Sequence, residues 1–368
     1  MIPVNTPLLA GNEAKYLENC IQTGWISSEG PYVSEFETKM AERVNRKYGI
    51  AVANGSGALD IAIQALDIGP GDEVILPTFT IISPVFSVLR AGATPILVDS
   101  EPDTWNMNVA EIASKITKRT KAIIVVHIYG LPVDMDPIID LCKKHSIYLV
   151  EDAAELIGQN YKDAPCGSFG EISTFSFYPN KQITTGEGGM VVCNDDQLAE
   201  RCRKLRNLAF EEKGRRFVHY EMGWNYRMTN LQAALGLAQL EQLDMHVQRK
   251  REIGESYLEK LDALVNFQLP MATASFASNI YWVFGLVARN QKLAENAVEL
   301  LSKQKIGTRP FFWCMHEQPV FLNMGLFAGE SYPVAENLAR CGFYIPSGLG
   351  LSNEEIDLVC KTLIEWKQ

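Results

Sequence analysis

Ala122-Ile123-Ile124-Val125-Val126, then an amphipathic stretch over 137–145, then Tyr148-Leu149-Val150: this run decides the fold. Two apolar segments rich in Val and Ile flank a helical pattern. Strands that are apolar throughout are covered on both faces, and strand–helix–strand alternation makes neighbouring strands parallel. The alternation continues outward in both directions, from about residue 48 to 195. Further strands are predicted over 50–53, 73–76, 95–98, 173–177 and 190–193, and helices over 57–66, 83–91 and 109–116. The fold class is therefore α/β, with a mainly parallel sheet covered by helices on both sides. After about residue 195 the pattern changes. A helix over 197–207 leads into a polar, basic stretch at 211–219, and two long helical patterns follow over 230–243 and 246–264. Residues 270–277 read as a linker. A strand over 281–287, helices over 292–303, 333–341 and 353–366, and an extended piece over 343–346 make a smaller α+β domain. The division adopted is a large domain with an N-terminal arm, residues 1–245, and a small C-terminal domain, 246–368.

Composition narrows the function. The 368 residues allow two domains at about 100–200 residues each. With 47% hydrophobic residues the chain is not a disordered one. The 34 basic and 44 acidic residues give a net charge of −10, the wrong sign for a nucleic-acid binder. The densest basic cluster, Lys213 to Arg216, is short and follows two glutamates. The N-terminus has neither the basic nor the apolar region of a secretory signal, and no apolar run approaches the ~20 residues of a membrane span. The eight cysteines are scattered, with no Cys-x-x-Cys, which reads as reduced thiols in a cytoplasmic protein.

In an open parallel sheet, ligands sit at the carboxyl ends of the strands. After the first strand comes Asn54-Gly55-Ser56-Gly57. Small residues opening a helix make a phosphate cradle from free N–H groups, the helix dipole and the Ser56 hydroxyl. Alone, this stretch reads more simply as a helix cap. A second strand ends in Glu151-Asp152-Ala153-Ala154-Glu155. A buried strand-end acid needs a partner, and a protonated ring nitrogen is one such partner. An N-cap or a magnesium ligand is the plainer use of a strand-end Asp. A third strand runs through Phe175-Ser176-Phe177-Tyr178-Pro179-Asn180 to Lys181, before the turn Thr185-Gly186-Glu187-Gly188-Gly189. A desolvated lysine has a lowered pKa and attacks carbonyls, although most lysines snorkel to the surface. Phosphate cradle, ring-nitrogen acid and nucleophilic lysine are together what pyridoxal phosphate requires. The five histidines form no metal-ligand spacing, so no metal is expected, and no Gly-x-Ser-x-Gly elbow is present. His127 reads as structural or as lying near the site.

These motifs, with Thr23-Gly24-Trp25-Ile26-Ser27-Ser28, Gly71-Asp72-Glu73-Val74 and Asn225-Tyr226-Arg227-Met228-Thr229, resemble the DegT/StrS family almost end to end. These are pyridoxal-phosphate-dependent sugar aminotransferases with the aspartate aminotransferase fold (fold type I). Within the family the sequence looks most like the perosamine synthases, which aminate C4 of a GDP-linked 4-keto-6-deoxymannose. The resemblance implies an amino group taken from L-glutamate, a role in surface polysaccharide synthesis, and a homodimer with active sites at the interface. It implies that Lys181 bonds the cofactor and shuttles a proton, that Asp152 pairs with the ring nitrogen, and that Glu155 lies beside the ring hydroxyl. Ser56, Gly57 and Ser176 would hold the phosphate, and Asn225 and Arg227 would reach the site from the neighbouring subunit. Trp25, Arg309 and His316 would face the substrate. Two departures stand out. Ile81 follows Pro77-Thr78-Phe79-Thr80 where the family often stacks an aromatic residue on the cofactor ring, so Ile81 or, in part, Phe79 would take that place. Phe177-Tyr178-Pro179-Asn180 replaces the usual Phe-Phe-Gly-Asn. UDP- or dTDP-linked keto-sugars and the C8 aldehyde of an oxidised 3-deoxy-octulosonate remain as alternative acceptors. Lys181 argues against the family's dehydratases, where histidine replaces lysine. The intact set of Lys181, Asp152 and Ser176 argues against a regulator that has lost catalysis.

Overall fold

A computed structural model of the chain describes residues 1–211 and 214–366. Lys213 of the basic cluster lies outside the described residues. All seven apolar runs of the first half enter one sheet. They are β1 Tyr48–Val52, β2 Glu73–Pro77, β3 Thr94–Val98, β4 Thr120–Val126, β5 Tyr148–Asp152, β6 Ile172–Ser176 and β7 Gly189–Cys193. Their order is β1-β7-β6-β5-β4-β2-β3. Strands β2 to β6 are parallel, and β7 runs against both of its neighbours. Along β4 the two-residue period is plain. Ala122, Ile124 and Val126 enter one apolar layer, and Ile123 and Val125 enter the other. That is why the strand is apolar at every position.

The helices Gly55–Ala65, Ser83–Arg90, Val109–Lys115 and Met135–His145 complete the crossovers. The last begins two residues before the predicted 137–145, because Pro137 is tolerated in a first helical turn. Helices Glu13–Thr23 and Pro31–Arg43, which no periodicity announced, pack on helix Asn230–Leu240.

A second, antiparallel sheet has β8 Phe267–Gln268, β9 Phe284–Ala288, β10 Arg309–Pro310 and β11 Gly342–Ile345, in the order β8-β9-β11-β10. The strand predicted over 281–287 starts only at Phe284. Tyr281 has a left-handed backbone, φ 48°, and its N–H donates to the Asn279 side chain instead of a strand. The predicted linker over 270–277 carries a short hairpin, Thr273–Ala274 with Ala277–Ser278. Helix Leu243–Leu261 joins the two regions. Leu243 and Val247 sit in an apolar layer of the large sheet, and Ile253, Tyr257 and Leu261 in the core beneath the small one. Its predicted end at 264 is shortened to Leu261. All eight cysteines are buried and unpaired. Among the described residues no helix is long and apolar enough to cross a membrane.

Candidate active site

The ends of β1, β5 and β6 open onto one cavity of about 420 Å³. After β1, the Asn54 side chain caps helix Gly55–Ala65 by accepting the Gly57 N–H at 2.8 Å. The Gly57 amide is thus engaged in the cap, and the amides left at the helix start are those of Gly55 and Ser56. A Cβ at position 55 would stand 2.8 Å from the Ser176 Cβ, so glycine lets the helix start close against β6. The Ser56 and Ser83 hydroxyls lie 2.7 Å apart, and both line the cavity with Ser176. Hydroxyls and amides at a helix N-terminus form an anion seat.

Asp152 ends β5, in register with Val126 and Thr174 on its two neighbours. It is 3% exposed, its carboxylate accepts from the Ala154 N–H at 3.1 Å, and the neighbouring Thr174 side chain and the Lys181 amine favour its charged form. Burial raises its pKa above the usual carboxylate range. A buried carboxylate facing a cavity suits a cationic ring nitrogen, whose charge would oppose that shift. Glu155 is held at one oxygen, Oε2, by the Tyr129 N–H at 2.7 Å, and its Oε1 lies 3.9 Å from the Lys181 Nζ. Burial pushes Glu155 up to about 8, against the pull of Lys181. Lys181 is lowered from the ordinary lysine range by burial, against the pull of Glu155 and Asp152. Its amine sits 3.7 Å from the centre of the Trp282 ring. An anion seat, a buried acid and a desolvated amine in one cavity fit pyridoxal phosphate.

The structure thus brings Ser56, Ile81, Asp152, Glu155, Ser176 and Lys181 together. Ile81 lines the cavity, whereas Phe79 is fully buried and packs on Tyr129, Phe311 and Phe312. Five other predicted residues lie elsewhere. Trp25 is 50% exposed on the N-terminal segment, where its carbonyl accepts from the Asn230 side chain. Asn225 is exposed and accepts two hydrogen bonds from Arg227, which borders a separate cleft with Ser28, Arg206 and Phe210. Arg309 is exposed on β10, opposite Tyr344, and it is Tyr344 that reaches the cavity. His316 is buried, with Nδ1 2.9 Å from the Thr78 Oγ1 and Nε2 3.2 Å from Glu336, and it does not line this cavity.

Ser83, Trp282, Phe312 and Tyr344 line the cavity without having been read from the sequence. Ser83 opens a helix just after β2, a signal of the same kind as Ser56. The other three arrive from the distant C-terminal segments and have no local signature. The fold also gathers His127, Glu151 and Cys166, a grouping invisible in the histidine spacing. His127 accepts the Val133 N–H at Nδ1 and faces Glu151 at 3.1 Å through Nε2. Glu151 further accepts from Gly167, Phe169 and Ser173. These groups are engaged with one another and brace the strand that carries Asp152.

The model of the DegT/DnrJ/EryC1/StrS aminotransferase family matches residues 7–364. The chain belongs to this family. The GDP-perosamine synthase of Escherichia coli O157:H7 is 43% identical over 99% of this chain and 98% of its own. That of Vibrio cholerae is 39% identical, over 99% and 98%. The solved structure of the aminotransferase TlmJ from Streptoalloteichus hindustanus superimposes with a TM-score of 0.91 at 27% identity, covering 99% of this chain and 98% of the other. Like its family, the protein is a pyridoxal-phosphate-dependent aminotransferase of fold type I.

Proposed function

We propose that the protein moves an amino group from L-glutamate to the C4 carbonyl of a GDP-linked 4-keto-6-deoxymannose, as a GDP-perosamine synthase. The observation that carries the substrate is the 43% identity to such a synthase over nearly the whole of both chains. When bound, pyridoxal phosphate supplies the carbonyl that takes up the amino group and a ring that accepts electrons. The protein's own residues do the rest. Ser56, Ser83, Ser176 and the Gly55 and Ser56 amides would hold the phosphate. Asp152 would face the ring nitrogen and favour its cationic form. Glu155 and Ile81 would also contact the ring. Lys181 would hold the cofactor and, with its amine free, would serve as the acid and base that moves the proton. One residue serves as nucleophile and as acid–base because its amine is free in the second role.

The remaining assignments rest on the family resemblance. Asn225 and Arg227, remote from their own cavity, serve the site of a partner subunit in a homodimer. Trp25 and Arg309 face substrate at the assembled site. The large domain, 1–245, carries the cofactor and the small domain, 246–368, closes over it. The product feeds a surface polysaccharide, O-antigen in lipopolysaccharide, made from the cytoplasm.

The test loads the enzyme with the amino group from glutamate and offers a panel of acceptors. The panel holds GDP-, UDP- and dTDP-linked 4-keto-6-deoxyhexoses and the C8 aldehyde of 3-deoxy-octulosonate. Conversion of carbonyl to amine is read by mass spectrometry. The GDP-mannose derivative is expected to react fastest, and faster amination of any other acceptor overturns the substrate assignment.

A further inference from the structure

We propose that Trp282 is the seat of the Lys181 amine while that amine is free of the cofactor, and so a positioning residue for the proton transfers. The inference rests on the assignment of Lys181 as the cofactor lysine. Such a lysine is covalently engaged for part of the cycle and free for the rest. When free it must stay within reach of the substrate carbon, and it must not wander off as a flexible four-carbon chain would.

The geometry around Lys181 supplies this restraint. The ammonium nitrogen lies 3.7 Å from the centroid of the Trp282 ring, well inside the ~6 Å range of cation–π attraction. The nearest carboxylate oxygen, Oε1 of Glu155, is 3.9 Å away, too far for a direct hydrogen bond. The aromatic face is thus the closest contact that favours the charged amine. Trp282 is itself pinned at two points. Its indole N–H donates to the carbonyl of Asn180, the residue before Lys181, at 2.7 Å. Its own carbonyl accepts from the buried Lys250 at 2.9 Å. The ring and the lysine backbone are therefore held in register, and 4% exposure leaves the ring little freedom. An aromatic face holds a cation without abstracting its proton, unlike a close carboxylate. A lysine seated on it remains available as acid and as base.

The test follows the ionisation of Lys181 in the enzyme loaded with the amino group, where the lysine is free. The rate at which acetic anhydride acetylates Lys181 is measured by peptide mass spectrometry across pH, together with kcat and the sugar KM. Asp152 and Glu155 favour the charged amine, the buried Lys250 charge interacts with it, Tyr178, Glu187 and Tyr344 line the same cavity, and all of these stay in both variants. Trp282→Leu is expected to lower the ionisation midpoint by about half to one pH unit, with kcat falling about tenfold or more and KM little changed. Trp282→Phe keeps a weaker aromatic face and loses the indole N–H, and should fall between. A midpoint that is unchanged or raised in both variants overturns the proposal, whatever happens to turnover. Because the labelling needs no sugar, an error in the sugar assignment leaves this result intact. If Lys181 were not the cofactor lysine, Lys181→Ala would retain the bound-cofactor absorbance, a separate outcome.

Discussion

Lys181 and Lys250 are both buried amines, and both are pulled below the ordinary lysine range by burial. Their surroundings differ. Lys250, on helix Leu243–Leu261, donates to the carbonyls of Trp282 at 2.9 Å and Ser347 at 2.6 Å. It has no carboxylate within ion-pair distance among the described residues. Two acceptors match the two N–H groups of an uncharged amine, and burial brings it down to about 7. Lys181 instead faces a cavity, an acid and an aromatic ring. Desolvation makes an amine easier to deprotonate. Access and adjustable partners make it a reagent. Lys250 has the first property alone, and it ties the long helix to the small sheet.

The comparison breaks first at activity. Lys181→Ala should reduce transamination by about a thousandfold or more and abolish the absorbance of covalently bound cofactor. Lys250→Met should keep the absorbance and lose about tenfold at most. Equal losses in the two variants would place Lys250 in the chemistry. Next in size is Asp152→Asn, which keeps the shape and removes the charge. A neutral carboxamide no longer holds the ring nitrogen as a cation, and kcat should fall about a hundredfold or more with cofactor still bound. Unchanged kcat would remove Asp152 from the ring.

Stability gives the third contrast. Unfolded, Lys250 titrates near the usual 10.5, and folded near 7. Below pH 7 both states carry the proton and burial of the charge opposes folding. Above about 10.5 neither does. Between these values the unfolded state binds more protons, so stability rises with pH. Relative to Lys250→Met, the wild-type Tm should gain about 2–5 °C from pH 7 to 9.5. A constant difference would mean that Lys250 is charged throughout.

The same contrast explains what could be read from sequence. The seven strands were legible because a strand covered on both faces must be apolar at each position, as Ala122–Val126 is. Asp152 was legible because a charge ending such a strand is conspicuous, and Lys181 because it stands between an apolar strand and a glycine-rich turn. Trp282, Phe312 and Tyr344 were not. They are aromatic residues in segments where aromatics usually serve the core, and only long-range packing brings them to the cavity. Gly57 was ambiguous because a cap and an anion seat use the same residues, and the Asn54 side chain takes the Gly57 amide as the cap.

His316 lies near the site with its side chain engaged elsewhere, and it sets the smallest expected effect on activity. It lies seven residues beyond Arg309, on the segment that delivers Phe312 to the cavity. Yet its ring turns away, bridging the Thr78 hydroxyl and Glu336 and packing edge-on to Tyr332 at 4.8 Å. Thr78 directly follows β2, so the bridge fastens this segment to the large sheet. Replacing His316 with Ala leaves the buried Thr78 hydroxyl unpaired and opens space beside Tyr332, a cost of about 1–3 kcal/mol. The expected result is a lower Tm with the sugar KM within about twofold of wild type. A tenfold rise in KM at unchanged Tm would return His316 to the substrate, and with it the view that a histidine near the site is there for the chemistry.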